Sequence, residues 1–209
     1  MTEIIAIDGP ASVGKSSLAK KLSKKFNSPM LSSGHLYRAV ALEIIKKNID
    51  LKDSKKILKC LDRIDNNKRT KDFYSSQVSK LASIISTNKY LRDRLKEYQL
   101  DFPKKKGKGK KFAIIEGRDI STVIFPNAKY KIFMWADAKI RAKRRYLQIR
   151  KTGRNASFIG ILKEINNRDK MDLSRKIAPL RPSVNSVLLD TSYLDIEQAL
   201  NLILKIIKK

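Results

Sequence analysis

Several things are scarce in this 209-residue chain, and each scarcity narrows the reading. There is one cysteine, Cys60, so no disulfide framework can exist, and a reducing cytoplasm fits. No motif surrounds Cys60, which therefore reads as a structural thiol. No apolar run approaches the ~18 residues a membrane-spanning helix needs, and nothing resembles a signal peptide, because an apolar segment starts almost at Met1. Acidic residues are few: 20 Asp and Glu against 47 Lys and Arg, a formal charge of +27. That imbalance raises nucleic acid as a partner. Aromatics make up only 7% of the chain and do not alternate with the lysines to make a stacking surface, so a lysine-rich solvated surface is the preferred reading. The length suits one α/β domain, with room for an insertion.

What is present is concentrated at the start. Ile4, Ile5, Ala6 and Ile7 form a short β-branched run, read as a buried strand. Gly9, Pro10, Ala11, Ser12, Val13, Gly14, Lys15, Ser16 and Ser17 follow at once, and Gly9 to Ser16 satisfies G-x-x-x-x-G-K-[ST] in full. Beyond them Leu18, Ala19, Leu22 and Phe26 recur at helical spacing. Strand, glycine loop and helix is the context in which backbone N–H groups curl around phosphate oxygens at a positive helix end. Lys15 is placed to reach β- and γ-phosphates, and the Ser16 hydroxyl to meet Mg²⁺ directly or through water. The chain is expected to bind a nucleoside triphosphate, and its basic surface then suits polyphosphate ligands.

Further along, Pro29 to Leu31 reads as a second strand, followed by a helix with Leu36, Val40, Ile44 and Ile45 as its stripe and Ser33 as its N-cap. Helices are expected near 54–64, 77–85 and 91–102, with no long strand between 48 and 102, so this stretch reads as an insertion. Lys104 to Lys111 reads as a solvated basic loop. Strands return at 112–115, 130–135 and 186–189; Asp137 is expected to cap the helix after the second, and Asp195-x-x-Gln198 to form a capping box for the last. Alternating strands and helices imply a parallel sheet covered on both sides, with ligands beyond the carboxyl ends of the strands. That brings Gly9–Ser17, Ser32–Arg38 and Gly117–Asp119 together.

Two charged helical faces stand out. Arg141, Arg144 and Arg145 fall at i, i+3 and i+4; Arg168, Asp172 and Arg175 fall at i, i+4 and i+7. Either alone is an ordinary solvated face, but phosphoryl transfer works by positioning and electrostatic stabilisation, which asks for several arginines. A switch GTPase is disfavoured: no D-x-x-G follows the loop, and neither Asn67-Lys68 nor Asn88-Lys89 has an Asp two residues on. A small-molecule kinase fits better.

The segments IAIDGPASVGKSS (5–17), LSSGHLYRAV (31–40), EGRDISTVIFPNA (116–128), KIF (131–133) and RDKMDLSRKIAPL (168–180) resemble bacterial cytidylate kinase in order and spacing, nearly end to end. The resemblance implies a P-loop kinase core at about 1–37, 103–149 and 176–209, a nucleoside-monophosphate-binding insertion at about 38–102, and a lid with its following helix at about 150–175. It implies transfer of the γ-phosphoryl group of ATP to CMP or dCMP with Mg²⁺. It places Ser33, Arg38, Ser79, Arg92, Arg118, Asp119, Arg168, Asp172 and Arg175 against the monophosphate, with Arg118 and Arg175 joining Lys15 in catalysis. In that assignment Asp119 accepts from the cytosine N4 amino group, where uracil offers only an acceptor. Arg92 and Ser33 complete the base contacts, Ser79, Asp172 and Arg168 hold the sugar, and Arg38, Arg118 and Arg175 neutralise the phosphate. Arg144, Arg145 and Arg154 are candidates for closing over ATP. The sequence departs from the family at Ser121, usually Gly, at Ser32, usually acidic, and at His35 and Trp135, which read as packing or surface residues. A monomer is expected. The rivals are a kinase for UMP, AMP or a sugar, and an ATP-dependent nucleic-acid-binding regulator.

Overall fold

The computed structural model describes residues 2–61, 71–153 and 155–207. In chain order the elements are β1 (Glu3–Asp8), α1 (Lys15–Lys25), β2 (Met30–Ser32), α2 (Ser33–Lys46), α3 (Ser54–Leu61), a 3₁₀ turn (Lys71–Tyr74), α4 (Ser76–Ile85), α5 (Lys89–Lys106), β3 (Phe112–Gly117), a π-helical turn (Ile120–Ile124), β4 (Tyr130–Trp135), α6 (Ala138–Arg150), α7 (Phe158–Ser174), β5 (Val187–Asp190) and α8 (Ile196–Ile207). The chain divides into two compact units, Met1–Leu31 with Pro103–Lys209, and Ser32–Phe102.

The first unit is built on a five-stranded sheet in the order β2-β3-β1-β4-β5. β1 is central and runs parallel to β3, pairing Asp8 with Gly117, and to β4, pairing Asp8 with Phe133; β4 runs parallel to β5. Parallel strands need both faces covered, which explains near-continuous apolar runs such as Ile5–Ile7 and Phe112–Ile115. Leu18, Ala19 and Leu22 of α1 and Ala199, Leu200, Ile203 and Ile207 of α8 pack with Ile5, Ile7, Ile114, Ile132 and Met134 into one core. Each large side chain so buried contributes about 1.5–3 kcal/mol. Asp137 caps α6 by accepting from the Lys139 N–H at 2.7 Å, and Asp195 and Gln198 form the expected reciprocal box at α8, 2.8 and 2.9 Å.

The second unit is helical among the described residues. α2 packs on α4 and α3, with Leu36, Val40, Val78, Ala82 and Ile85 buried. The N-cap of α2 is Ser32, whose hydroxyl accepts from the His35 N–H at 3.3 Å; the expected cap Ser33 is instead its first helical residue. The cap lies one residue earlier because Ser32 keeps the extended backbone (φ −102°, ψ 109°) that an N-cap requires. His35 stacks edge-on against Phe73 at 5.4 Å. The helix expected at 54–64 is described to Leu61; residues 62–64 lie outside the described residues. α5 overruns its expected end and includes Lys104–Lys106, so the basic stretch is only partly a loop. Pro103 sits inside this helix and removes one donor without stopping it, and the turn closes where the Gly107 N–H reaches the Pro103 carbonyl at 2.8 Å.

Candidate active site

The loop between β1 and α1 begins where β1 ends against two neighbours. Gly9 (φ 147°), Ser12 (φ 60°) and Gly14 (φ 105°) curl it through the left-handed region. At Gly9 a side chain is also sterically barred, because a Cβ would collide with the Met134 carbonyl oxygen of β4. Three loop carbonyls are held by side chains: Pro10 accepts from Lys15 Nζ at 2.7 Å, Ala11 from Arg141 Nη1 at 3.2 Å, and Val13 from the Thr191 hydroxyl at 3.1 Å. Lys15 is buried, and burial together with the nearby Arg118 guanidinium lowers its pKa to about 7. The Ser16 hydroxyl donates to Glu116 Oε1 at 2.8 Å. Glu116, the penultimate residue of β3, was not among the expected site residues; its signal was an acidic side chain at a strand end beside the loop.

Directly after β3 come Arg118 and Asp119, then the π-helical turn. This turn hangs from Asp8: Oδ1 accepts from the Ile120 N–H and Oδ2 from the Ser121 N–H, each at 2.7 Å, and Oδ2 also accepts from the Ser121 hydroxyl at 2.6 Å. Burial pushes the Asp8 carboxyl above the usual range, against these hydrogen bonds, which favour the charged form.

α7 brings the second charged group to the same unit. Arg118 Nε donates to Asp172 Oδ2 at 2.8 Å, Arg168 Nε stands 3.9 Å from the same oxygen, and Arg175 Nη2 stands 3.9 Å from Asp119 Oδ1. Burial alone raises the Asp172 carboxyl, but Arg118 and Arg168 outweigh it and hold the group below the ordinary carboxylate range. Burial depresses Arg118 too, yet Asp172 and Glu116 more than compensate and its pKa is raised. Arg168 has less compensation; burial and the Arg118 charge lower it to about 10. The string after α7 shapes the support: Arg175 Nε donates to the carbonyl of Ala178, whose φ is 52°, and the Leu180 N–H to the Asp172 carbonyl.

In the second unit Arg38 Nη1 donates to Ser79 Oγ at 2.6 Å and to the Phe73 carbonyl at 3.3 Å, and Ser79 Oγ donates to the Ser75 carbonyl at 2.7 Å. Arg92 is buried and donates to the Ser86 carbonyl at the end of α4, where a cation suits the helix dipole. Ser33 is buried at the start of α2. Arg141, Arg144 and Arg145 of α6 have different surroundings. Arg141 is buried, Arg144 donates to the Thr191 and Leu194 carbonyls and the Thr191 hydroxyl, and Arg145 donates to Gln148. Arg154 lies outside the described residues.

A parallel sheet whose central strand feeds a glycine loop, a buried lysine and an arginine–carboxylate cluster defines a P-loop kinase. The fold is shared with an uncharacterized protein from Eubacterium ventriosum (TM-score 0.56, 16% identity, covering 100% of this chain and 99% of that one) and with a Thermus thermophilus protein (TM-score 0.50, 16% identity, 98% and 97%). The family model described as cytidylate kinase matches residues 5–209. Proteins named cytidylate kinase from Caldicellulosiruptor saccharolyticus and Fusobacterium nucleatum are 36% and 38% identical, covering 98% and 99% of this chain and 95% and 97% of their own. The chain belongs to the cytidylate kinase family.

Proposed function

We propose that this chain transfers the γ-phosphoryl group of ATP to CMP or dCMP, giving ADP and CDP or dCDP. The observation that carries the reading is geometric. Ser16 of the phosphate loop donates to Glu116 at 2.8 Å, and Arg118, two residues further on, donates to Asp172 at 2.8 Å, so the donor loop and the arginine–Asp172 cluster meet within one unit.

In this reading the backbone of Gly9–Ser17 and the amino end of α1 hold the ATP phosphates, and Lys15 leaves the Pro10 carbonyl for phosphate oxygens. Ser16 and Glu116 supply paired oxygen donors of the kind a hard divalent ion takes. Mg²⁺ held there would neutralise charge on the transferring group. Arg118 and Arg175 of the first unit bind the CMP phosphate, and in the second unit Arg38 is a further candidate for it. In the first unit Arg168 and Asp172 hold the sugar and Asp119 reads the cytosine; in the second, Ser79 is a candidate for the sugar and Arg92 and Ser33 for the base. A phosphate oxygen of CMP attacks the γ-phosphorus, the bond to the bridging β-oxygen breaks, and ADP carries that electron pair away. The acceptor phosphate is already ionised, so no general base is needed. Residues of about 38–102 serve as the monophosphate-binding insertion, and those of about 150–175 as the lid and its following helix. Arg144, Arg145 and Arg154 are the lid-side candidates for ATP. No described helix is long and apolar enough to cross a membrane, and a cytoplasmic monomer is part of the proposal.

A coupled ADP-release assay with ATP and each of CMP, dCMP, UMP and AMP tests this reading. Preference for CMP or dCMP is expected; preference for UMP or AMP, or tight salt-dependent RNA binding with negligible CMP turnover, overturns it.

A further inference from the structure

Asp169 is the one acidic residue of the R-D-x-x-D-x-x-R string left without a task by the proposed function, and Arg141 is the arginine of the 141, 144 and 145 group that it leaves unused. The two meet. Arg141 is buried and makes hydrogen bonds to three separate segments: Nε to the Ala136 carbonyl after β4 at 2.8 Å, Nη1 to the Ala11 carbonyl in the phosphate loop at 3.2 Å, and Nη2 to Asp169 Oδ2 on α7 at 2.6 Å. Asp169 Oδ1 is buried and makes no hydrogen bond among the described residues, and the carboxylate accepts from Arg141 through its other oxygen.

We infer that Arg141 and Asp169 are positioning residues that tie the donor loop to α7 and thereby couple ATP binding to CMP binding. The argument is geometric. A trans peptide directs its C=O and N–H to opposite sides, so fixing the Ala11 carbonyl aims the Ser12 N–H away from Arg141. The same guanidinium fixes α7 one residue from Arg168 and three from Asp172, which meets Arg118. A planar fork with donors on three sides can do this; a lysine cannot. When a triphosphate orders the loop, α7 is held in the position that presents Arg168 and Asp172. Linkage then requires CMP to tighten ATP binding by the same factor. The inference rests on the proposed CMP kinase activity.

The test uses the full chain, β,γ-imido-ATP with Mg²⁺, and CMP, with calorimetric Kd values for each ligand alone and with the other saturating. In the wild type each ligand is expected to tighten the other by about fivefold or more. In Asp169→Asn and Arg141→Lys the factor should drop to within about twofold of unity, while the Kd for CMP alone moves less than about threefold. Both variants keep side-chain bulk, and Asp169→Asn leaves Arg141 its two carbonyl partners. Coupling that persists in Asp169→Asn, or is absent in the wild type, overturns the inference. So does a uniform loss of both single-ligand affinities with the coupling factor retained, because that is the mark of a merely structural pair. Wild-type failure to turn over CMP would instead remove the proposed function, so the two failures are distinguishable.

Discussion

The Ser121 hydroxyl donates to Asp8 Oδ2 at 2.6 Å, joining the last residue of β1 to the turn that follows Arg118 and Asp119. Here a side chain adds a bond to a carboxylate that already holds two backbone N–H groups. Ser121→Gly should therefore keep the fold and lose about 1.5–3 kcal/mol, the worth of a hydrogen bond to a charged group, plus a small glycine entropy cost. Asp8→Ala should cost more, because it strands two buried N–H donors at about 1–3 kcal/mol each. Urea unfolding of both variants checks the order; equal stabilities would show that the two N–H groups do not depend on Asp8.

Lys15 should tie protonation to ligand binding. Its pKa in the folded chain is about 7, against an ordinary 10.5. Between those values the unfolded lysine is charged and the folded one neutral, so unfolding takes up a proton and stability rises with pH across that window. Below pH about 7 both are charged and the burial penalty is at its full size. Lys15→Met should abolish this slope and cut turnover by at least about 10²–10³. Polyphosphate charge restores the proton, so ATP binding at pH 8 should draw a proton from buffer and weaken as pH rises. Calorimetry in two buffers of different ionisation enthalpy reads the uptake directly; none would mean Lys15 is charged before ATP arrives.

Much of this was legible locally. The phosphate loop occupies consecutive residues, and the capping box at Asp195 and Gln198 lies within one turn, so short spacings carried both. Arg118, Asp119, Arg168, Asp172 and Arg175 were legible through family strings. Asp8 was not, because its partners lie 112 and 113 residues away and a lone acid at a strand end has no spacing that names them. Arg141, Arg144 and Arg145 do lie in one helix at the expected spacing, but their partners were not legible. Helical periodicity says that side chains share a direction but not which of them the core admits, and burial separated Arg141 from the others. The helix expected near 91–102 runs on through Pro103 to Lys106.

Gly9 and Gly109 should respond differently to the same methyl group. Both have positive φ, 147° and 75°. A Cβ at Gly109 meets nothing within 4 Å, so Gly109→Ala should cost about 1 kcal/mol from backbone strain alone. At Gly9 the Cβ strikes the Met134 carbonyl of β4, whose backbone cannot yield without disturbing the sheet. Gly9→Ala should lower Tm several degrees more than Gly109→Ala and lose ATP binding, while Gly109→Ala keeps wild-type kinetics. Matching losses in the two variants would mean that strain, not collision, decides the Gly9 position.

Asp119 is the residue on which base choice should turn. It is buried, with Arg175 Nη2 3.9 Å from Oδ1, so its carboxylate is oriented before any substrate arrives. A carboxylate only accepts hydrogen bonds; cytosine presents an amino donor at C4, and uracil presents an acceptor that would face it unpaired. An amide at the same position can offer either its oxygen or its NH₂. Asp119→Asn should therefore lower kcat/KM for CMP, raise it for UMP, and narrow the CMP-to-UMP ratio by at least about tenfold. The same change removes a negative charge beside Arg175, so KM for both nucleotides should shift together by a smaller factor. Steady-state kinetics with the two acceptors separate these effects, since the charge effect cancels in the ratio and the base effect does not. An unchanged ratio would transfer base selection to Arg92 or Ser33 and leave Asp119 with an electrostatic task alone.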